Sequence, residues 1–316
     1  MGDGLKMISS DSNKVLVLKL DEDYVNGLLI NHDLTDDGDY AFMEDTFIEV
    51  VMNYLPEYAM GYDFASMTPL EIVPILREVA KSVIKIKKID KIKQYLDDGT
   101  PYELWDNDIY KTYNSKGIFS ELILHFILRE INGTIPLISK IYFKDSNAIE
   151  AHGFDSVHIT TEDKKLWLGE TKFYTDGKQG LKELINDLNN HFNHDYLKEQ
   201  FVIIKRAMVK NKSRDEWIGR LSNATRLEEK INMIVAPLLC IYKDSVASEI
   251  INAINEKRNA DSIFFNHIDE MKKYFEDNND FKNKDKLKML LILLPVESKD
   301  KIVATMLSKI YNMQNI

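Results

Sequence analysis

The sequence predicts an α/β protein, a mixed sheet flanked by helices. Three observations predict it. Short apolar runs rich in β-branched and aromatic residues recur between segments of helical periodicity. A hairpin pattern fills residues 153–174, and strands and helices alternate from there to the C-terminus. With 44% hydrophobic residues in 316, the chain can bury a core sufficient for one large or two modest domains.

In chain order, Lys14 to Leu20 reads as a strand. Asp33 to Asp45 is acidic and turn-rich, with Asp36-Asp37-Gly38-Asp39. It lacks the spaced ligands and terminal Glu of an EF-hand and reads as a solvated loop. Helical periodicity begins around Phe42–Met52 and is strongest after Thr68-Pro69-Leu70-Glu71, a capping box with proline at the first helical position. Lys81 to Lys93 interleaves lysines with isoleucines, as on the wet side of an amphipathic helix. Gly117 to Asn132 is apolar on most sides, as for a helix packed on a sheet, and Glu121 lies on it in one stripe with Ile118, Leu124, His125 and Leu128. Acidic residues are seldom fully buried, so Glu121 is expected at the rim.

Ile138–Phe143 is the next strand candidate. Gly153-Phe154-Asp155-Ser156-Val157-His158-Ile159 and Leu166-Trp167-Leu168-Gly169-Glu170-Thr171-Lys172-Phe173-Tyr174 then flank a wholly polar link. They read as two antiparallel strands. A turn centred between Glu162 and Asp163 sets Asp155 opposite Glu170, with Lys172 two residues on along the same face. Two facing carboxylates among Val, Ile and Leu repel and are costly to desolvate, and a divalent cation removes both problems. The bland alternative is a hairpin with charges on its wet face, and a one-residue slip would spoil the pairing. Glu-x-Lys triplets also occur at Glu162, Glu228, Glu270 and Glu297, but only Glu170-Thr171-Lys172 sits inside a strand with an acidic residue across from it.

Leu181, Leu184, Ile185, Leu188 and Phe192 mark a following helix. His191 and His194 near its end have no neighbours that complete a zinc set and read as surface residues. Phe201–Met208 suits helix or strand. Leu238–Tyr242 follows Pro237 as a strand, and helix Ser245–Arg258 comes next. A charged break, Glu276 to Lys286, precedes strand Leu287–Leu294, and Lys299–Tyr311 is helical. The chain divides into an acidic, helical region, 1–110, expected to offer a partner or regulatory surface, and an α/β domain, 111–316.

One cysteine, Cys240, excludes an intramolecular disulfide framework. The longest apolar run, Met289–Val296, is too short to span a bilayer, and no secretory signal is visible, so a cytoplasmic protein is expected. The net charge of −10 argues against nucleic acid only in aggregate: residues 1–63 carry −11 and the remainder +1. A nearly neutral remainder can still present a basic groove. The acidic segment, 21–45, is expected either to mask the active site or to dock a partner.

Paired carboxylates form a hard oxygen site suited to Mg²⁺, with Mn²⁺ as a substitute and the backbone carbonyl of Thr171 as a further ligand. Lys172 would orient the nucleophile and stabilise developing negative charge, and Glu121 would complete or support the site. The reaction class is metal-dependent phosphodiester hydrolysis. At these residues the chain resembles the PD-(D/E)XK nucleases, the restriction-endonuclease-like superfamily. Gly153-Phe154-Asp155 stands where many members have Pro-Asp, and Glu170-Thr171-Lys172 supplies the second half. More narrowly, the two hairpin strands and the closing Leu-Leu-Ile-Leu-Leu-Pro-Val-Glu-Ser-Lys resemble the HamA family, nuclease subunits of the Hachiman anti-phage system, over roughly residues 115–316. That resemblance implies a DNase beside a superfamily 2 helicase, HamB, which restrains it. It implies metal binding by Asp155 and Glu170 and a catalytic Lys172, with Glu121 at the family's helix position. A stand-alone restriction- or repair-type nuclease and a non-catalytic binding module on the same fold remain alternatives.

Overall fold

The computed structural model describes residues 15–22, 24–61, 68–84, 117–139, 153–210 and 215–316, with scattered positions between 91 and 106. Most of the lysine-rich run and most of the Ile138–Phe143 strand candidate lie outside the described residues. A seven-stranded mixed sheet forms the middle layer. Its strands are β1 (Leu16–Glu22), β2 (Val25–Ile30), β5 (Ile135–Pro136), β6 (Ser156–Ile159), β7 (Leu166–Tyr174), β8 (Ile234–Lys243) and β9 (Lys288–Val296), in the order β1-β2-β9-β8-β7-β6-β5. The interior pairs β2–β9, β9–β8 and β8–β7 are parallel, and both ends close with antiparallel partners.

Parallel strands covered on both faces read as continuous apolar runs. Accordingly, β8 is buried from Ile234 to Tyr242. Helices cover one face with α1 (Glu44–Met52), α2 (Leu55–Met60), α3 (Pro69–Val83), α4 (Ile118–Glu130) and α11 (Lys299–Asn315), which share one core with Trp167, Leu239 and Ile292. The other face carries α5 (Gly177–His191), α6 (His194–Lys210), α7 (Asp215–Asn223), α8 (Leu227–Met233), α9 (Ser245–Asn255) and α10 (Ala260–Asn278), packed on Leu168, Leu238 and Leu291. The mixed α/β architecture expected from the sequence is therefore present, and strands from residues 1–110 and 111–316 share its sheet.

One open reading is decided and three local expectations change. Phe201–Met208 is helical, inside α6. The acidic loop contains a small hairpin, β3 (His32–Leu34) with β4 (Tyr40–Phe42), turned through Gly38 at φ 89°. Helix α10 runs to Asn278, into the expected charged break. Strand β8 runs through Pro237 instead of starting after it. Proline lacks the N–H a central strand needs. The β7–β8 ladder accordingly pairs Trp167 with Val235, skips two positions and resumes at Glu170 with Leu238. Opposite that gap stands Gly169, where a Cβ would meet Ser156 Oγ and lie 2.6 Å from Leu124 Cδ2 and 3.2 Å from Pro237 Cγ. Glycine is required there because α4 and β8 both close on β7. Gly169→Ala should cost about 1–3 kcal/mol, read as a lower denaturant midpoint at unchanged slope.

Candidate active site

The hairpin register is the one expected: Ser156 pairs with Gly169, Val157 with Leu168, His158 with Trp167 and Ile159 with Leu166. Asp155 is one residue beyond the ladder, and its N–H donates to the Gly169 carbonyl at 2.9 Å. The side chains depart from the simple picture of two facing carboxylates. Asp155 Oδ2 accepts from the Thr171 N–H at 2.8 Å and from Thr171 Oγ1 at 3.2 Å. Thr171 Oγ1 in turn lies 2.8 Å from Ser120 Oγ on α4. Asp155 is thus held by Thr171 at the hairpin's end, and its charge reaches both Tyr58 on the face that α4 covers and Lys172, His191 and Tyr196 on the other.

Glu170 and Lys172 project to the opposite face, beneath α5. Period-two alternation sends 170 and 172 to one side and Thr171 to the other. Glu170 is only 2% exposed, and its Oε1 accepts from His191 Nδ1 at 2.6 Å. Lys172 Nζ pairs with Asp187 Oδ2 at 2.5 Å. Burial opposes the charge on Lys172, but Asp187, then Asp155 and Glu170, outweigh it and hold the ammonium above its usual range. The His191 ring stacks on Tyr196 with centroids 4.5 Å apart and meets Phe154 edge-on. Burial first, and Lys172 after it, hold His191 below its usual value against the pull of Asp187 and Asp155. The Tyr196 hydroxyl is pushed up by burial and by the carboxylates of Glu170, Asp155 and Asp187.

His191 is therefore not the surface residue expected; only His194 is, exposed beside Asp195 at 3.1 Å. The sequence does not single out Asp187, and it leaves His191 as a surface residue, because their partners lie on a strand, distant in sequence. Their signal was available: Leu184, Asp187 and His191 continue one inward stripe of α5. Glu121 is corrected as well. It is 8% exposed, and buried with the Tyr58 hydroxyl donating to Glu121 Oε2. Burial first, then Glu121 and Asp155, raise that hydroxyl well above its usual value. Glu121 thus reaches the neighbourhood of Asp155 through Tyr58.

Among the described residues Glu170, Asp187 and His191 offer ligand atoms within 4.8 Å of one another. Two ligands at about 2.1 Å on opposite sides of a small divalent ion span roughly 4.2 Å, so a slight contraction would close this set on one cation. The donors present fit a divalent metal.

A second polar cluster ties α2, α4 and the hairpin together. Thr134 Oγ1 lies 2.8 Å from His158 Nδ1, His158 Nε2 3.0 Å from His125 Nδ1, and His125 Nε2 3.0 Å from Glu57, which Arg129 also holds at 2.9 Å. The Thr134 hydroxyl donates to the Leu128 carbonyl at 2.9 Å, which leaves its oxygen to accept from His158 Nδ1. Burial lowers His125 below its usual 6.5 despite Glu57. Burial alone would raise Glu57, but His125 and Arg129 outweigh it and hold the carboxyl below 4.5. A histidine with a depressed folded value contributes stability that is complete above its unfolded value and lost as pH falls, because the unfolded chain takes up the proton first. A depressed carboxylate acts in the same direction at lower pH. The melting temperature should fall on acidification from about pH 6.5 and again below about pH 4.5, and Glu57→Gln should diminish the lower step in a pH-resolved thermal melt.

The described residues of the acidic segment, 21–45, run from β1 through β4 into the start of α1, and β9 and β8 separate β2 from β7. Among the described residues no helix is long and apolar enough to cross a membrane.

No curated protein and no solved structure matches the chain. The model of the HamA family matches residues 10–310. The chain belongs to the HamA family, a family of anti-phage defence proteins.

Proposed function

We propose that this chain is the metal-dependent DNA nuclease of a defence complex and cuts phosphodiester bonds at the end of β7. The single observation that carries the reading is Glu170 and Lys172 side by side under α5: a 2%-exposed carboxylate beside a lysine that neighbouring carboxylates keep charged. Asp155, Glu170 and the Thr171 carbonyl would hold Mg²⁺, with Mn²⁺ as a substitute. The metal would polarise the scissile phosphate and supply an activated water. Lys172 would orient the attacking water and stabilise the charge that develops on the phosphoryl oxygens. Its raised pKa fits electrostatic stabilisation; a lysine charged at neutral pH is no proton acceptor. Thr171 and Ser120 fix Asp155, and Glu121 supports this side through Tyr58.

A superfamily 2 helicase, HamB, is the partner in this reading. It would restrain the nuclease in the cytoplasm until it loads on aberrant DNA. The partner would also supply phosphate affinity that a chain of net charge −10 lacks. The test is degradation of circular and linear DNA by the purified chain, alone and with the helicase, in Mg²⁺ and in EDTA. Metal-dependent cutting is expected. Intact DNA in every arm, with the chain folded, would refute the reading.

A further inference from the structure

A metal held only by Asp155, Glu170 and a carbonyl would sit in an all-oxygen shell. The residues around Glu170 describe a different shell. His191 Nδ1 touches Glu170 Oε1 at 2.6 Å, Asp187 reaches the same space from one helical turn earlier, and the three ligand atoms lie within 4.8 Å. The imidazole is held in place: Tyr196 stacks on it at an interplanar angle of 15° and Phe154 abuts its edge. A ring fixed in this way loses little freedom on ligation. The proton now shared between His191 Nδ1 and Glu170 Oε1 occupies the place a cation would take. With its proton on Nε2, the neutral ring presents the Nδ1 lone pair to that place.

From this geometry, and resting on the nuclease reading above, we infer that His191 and Asp187 are metal ligands together with Glu170. The pocket is then a mixed nitrogen–oxygen site that takes Mn²⁺ in preference to Mg²⁺. Imidazole nitrogen favours first-row transition ions over Mg²⁺, which prefers oxygen and water. Lys172 would exchange its direct pairing with Asp187 for the field of the metal-bound carboxylates, and remain beside the site.

The test reads the ligand atom, independently of activity. The full chain loaded with Mn²⁺ is examined by electron spin-echo envelope modulation, in which a bound imidazole nitrogen gives a characteristic coupling. Coupling is expected in the unaltered chain, retained in His194→Gln and lost in His191→Gln. The last should bind Mn²⁺ about tenfold or more weakly, with a much smaller change for Mg²⁺. The unaltered chain alone makes the assignment falsifiable should the variant misfold. Mn²⁺ bound without nitrogen coupling would overturn the inference and leave the nuclease reading standing. Nitrogen coupling in a loaded chain that never cuts DNA would support the pocket and remove the nuclease. A folded chain that binds no Mn²⁺ would overturn this site.

Discussion

Lys172→Ala is expected to lower the rate of DNA cleavage by about 10²–10³-fold, the effect of removing one preorganised charge from a developing oxyanion. Metal binding should survive, because the substitution removes no ligand. Asp187 would lose its 2.5 Å partner but keep His191 nearby, so the fold should persist with a modest fall in melting temperature. Lys172→Arg should not restore the rate. A planar guanidinium cannot replace a compact ammonium in a space bounded by α5 and β7. Single-turnover cleavage beside circular dichroism separates these effects, and a rate unchanged in the folded alanine variant would remove Lys172 from the chemistry.

Glu170→Ala carries the second large effect and should abolish both metal binding and cleavage. Glu170 is 2% exposed, contacts His191 directly and belongs to the group of potential ligands. Affinity for the divalent ion should fall by at least about 10–100-fold. Glu170→Gln keeps the volume and can still accept from His191, so it should retain most of the stability while losing the metal. Asp155→Asn is the informative companion. Its amide oxygen can still accept from the Thr171 N–H, as Asp155 Oδ2 does at 2.8 Å, so any loss of activity there reports charge and not the hairpin's architecture. Isothermal titration with Mg²⁺ and Mn²⁺ checks all three, and full-affinity binding by Glu170→Ala would place the metal elsewhere.

The backbone of this site was legible in the sequence, and its side-chain partners were not. Strand alternation and a polar link are enough to pair Ser156 with Gly169, because a period of two leaves few registers once Leu166 and Leu168 must face inward. The same reasoning placed Asp155 opposite Glu170 but did not show that Thr171 captures the Asp155 carboxylate. Local pattern carries no information about partners far along the chain. Glu121 was expected at the rim because acidic residues seldom lose water entirely. Tyr58, 63 residues upstream, supplies the hydroxyl that satisfies it. His191 was set aside for want of ligands close by in sequence, although its partner Glu170 stands 21 residues earlier on the neighbouring strand. Pro237 misled in a different way. A proline normally marks a strand's start, yet here the strand continues through it, opposite the two β7 positions, Leu168 and Gly169, that skip the β8 ladder. In the first sixty residues the strand at Lys14–Leu20 and the helix near Phe42–Met52 were legible, but β2 and the pairing that joins it to the sheet holding the site were not.

The central claim is that Glu170 and Lys172 belong to a phosphodiester-hydrolysing centre. The most direct test cuts DNA with the unaltered chain, its helicase partner present, in water enriched in heavy oxygen, beside Lys172→Ala. One heavy oxygen is expected in the terminal phosphate of each new break, with breaks about 10²–10³-fold rarer in the variant. Breaks that carry no label, or breaks as frequent in Lys172→Ala as in the unaltered chain, would contradict it.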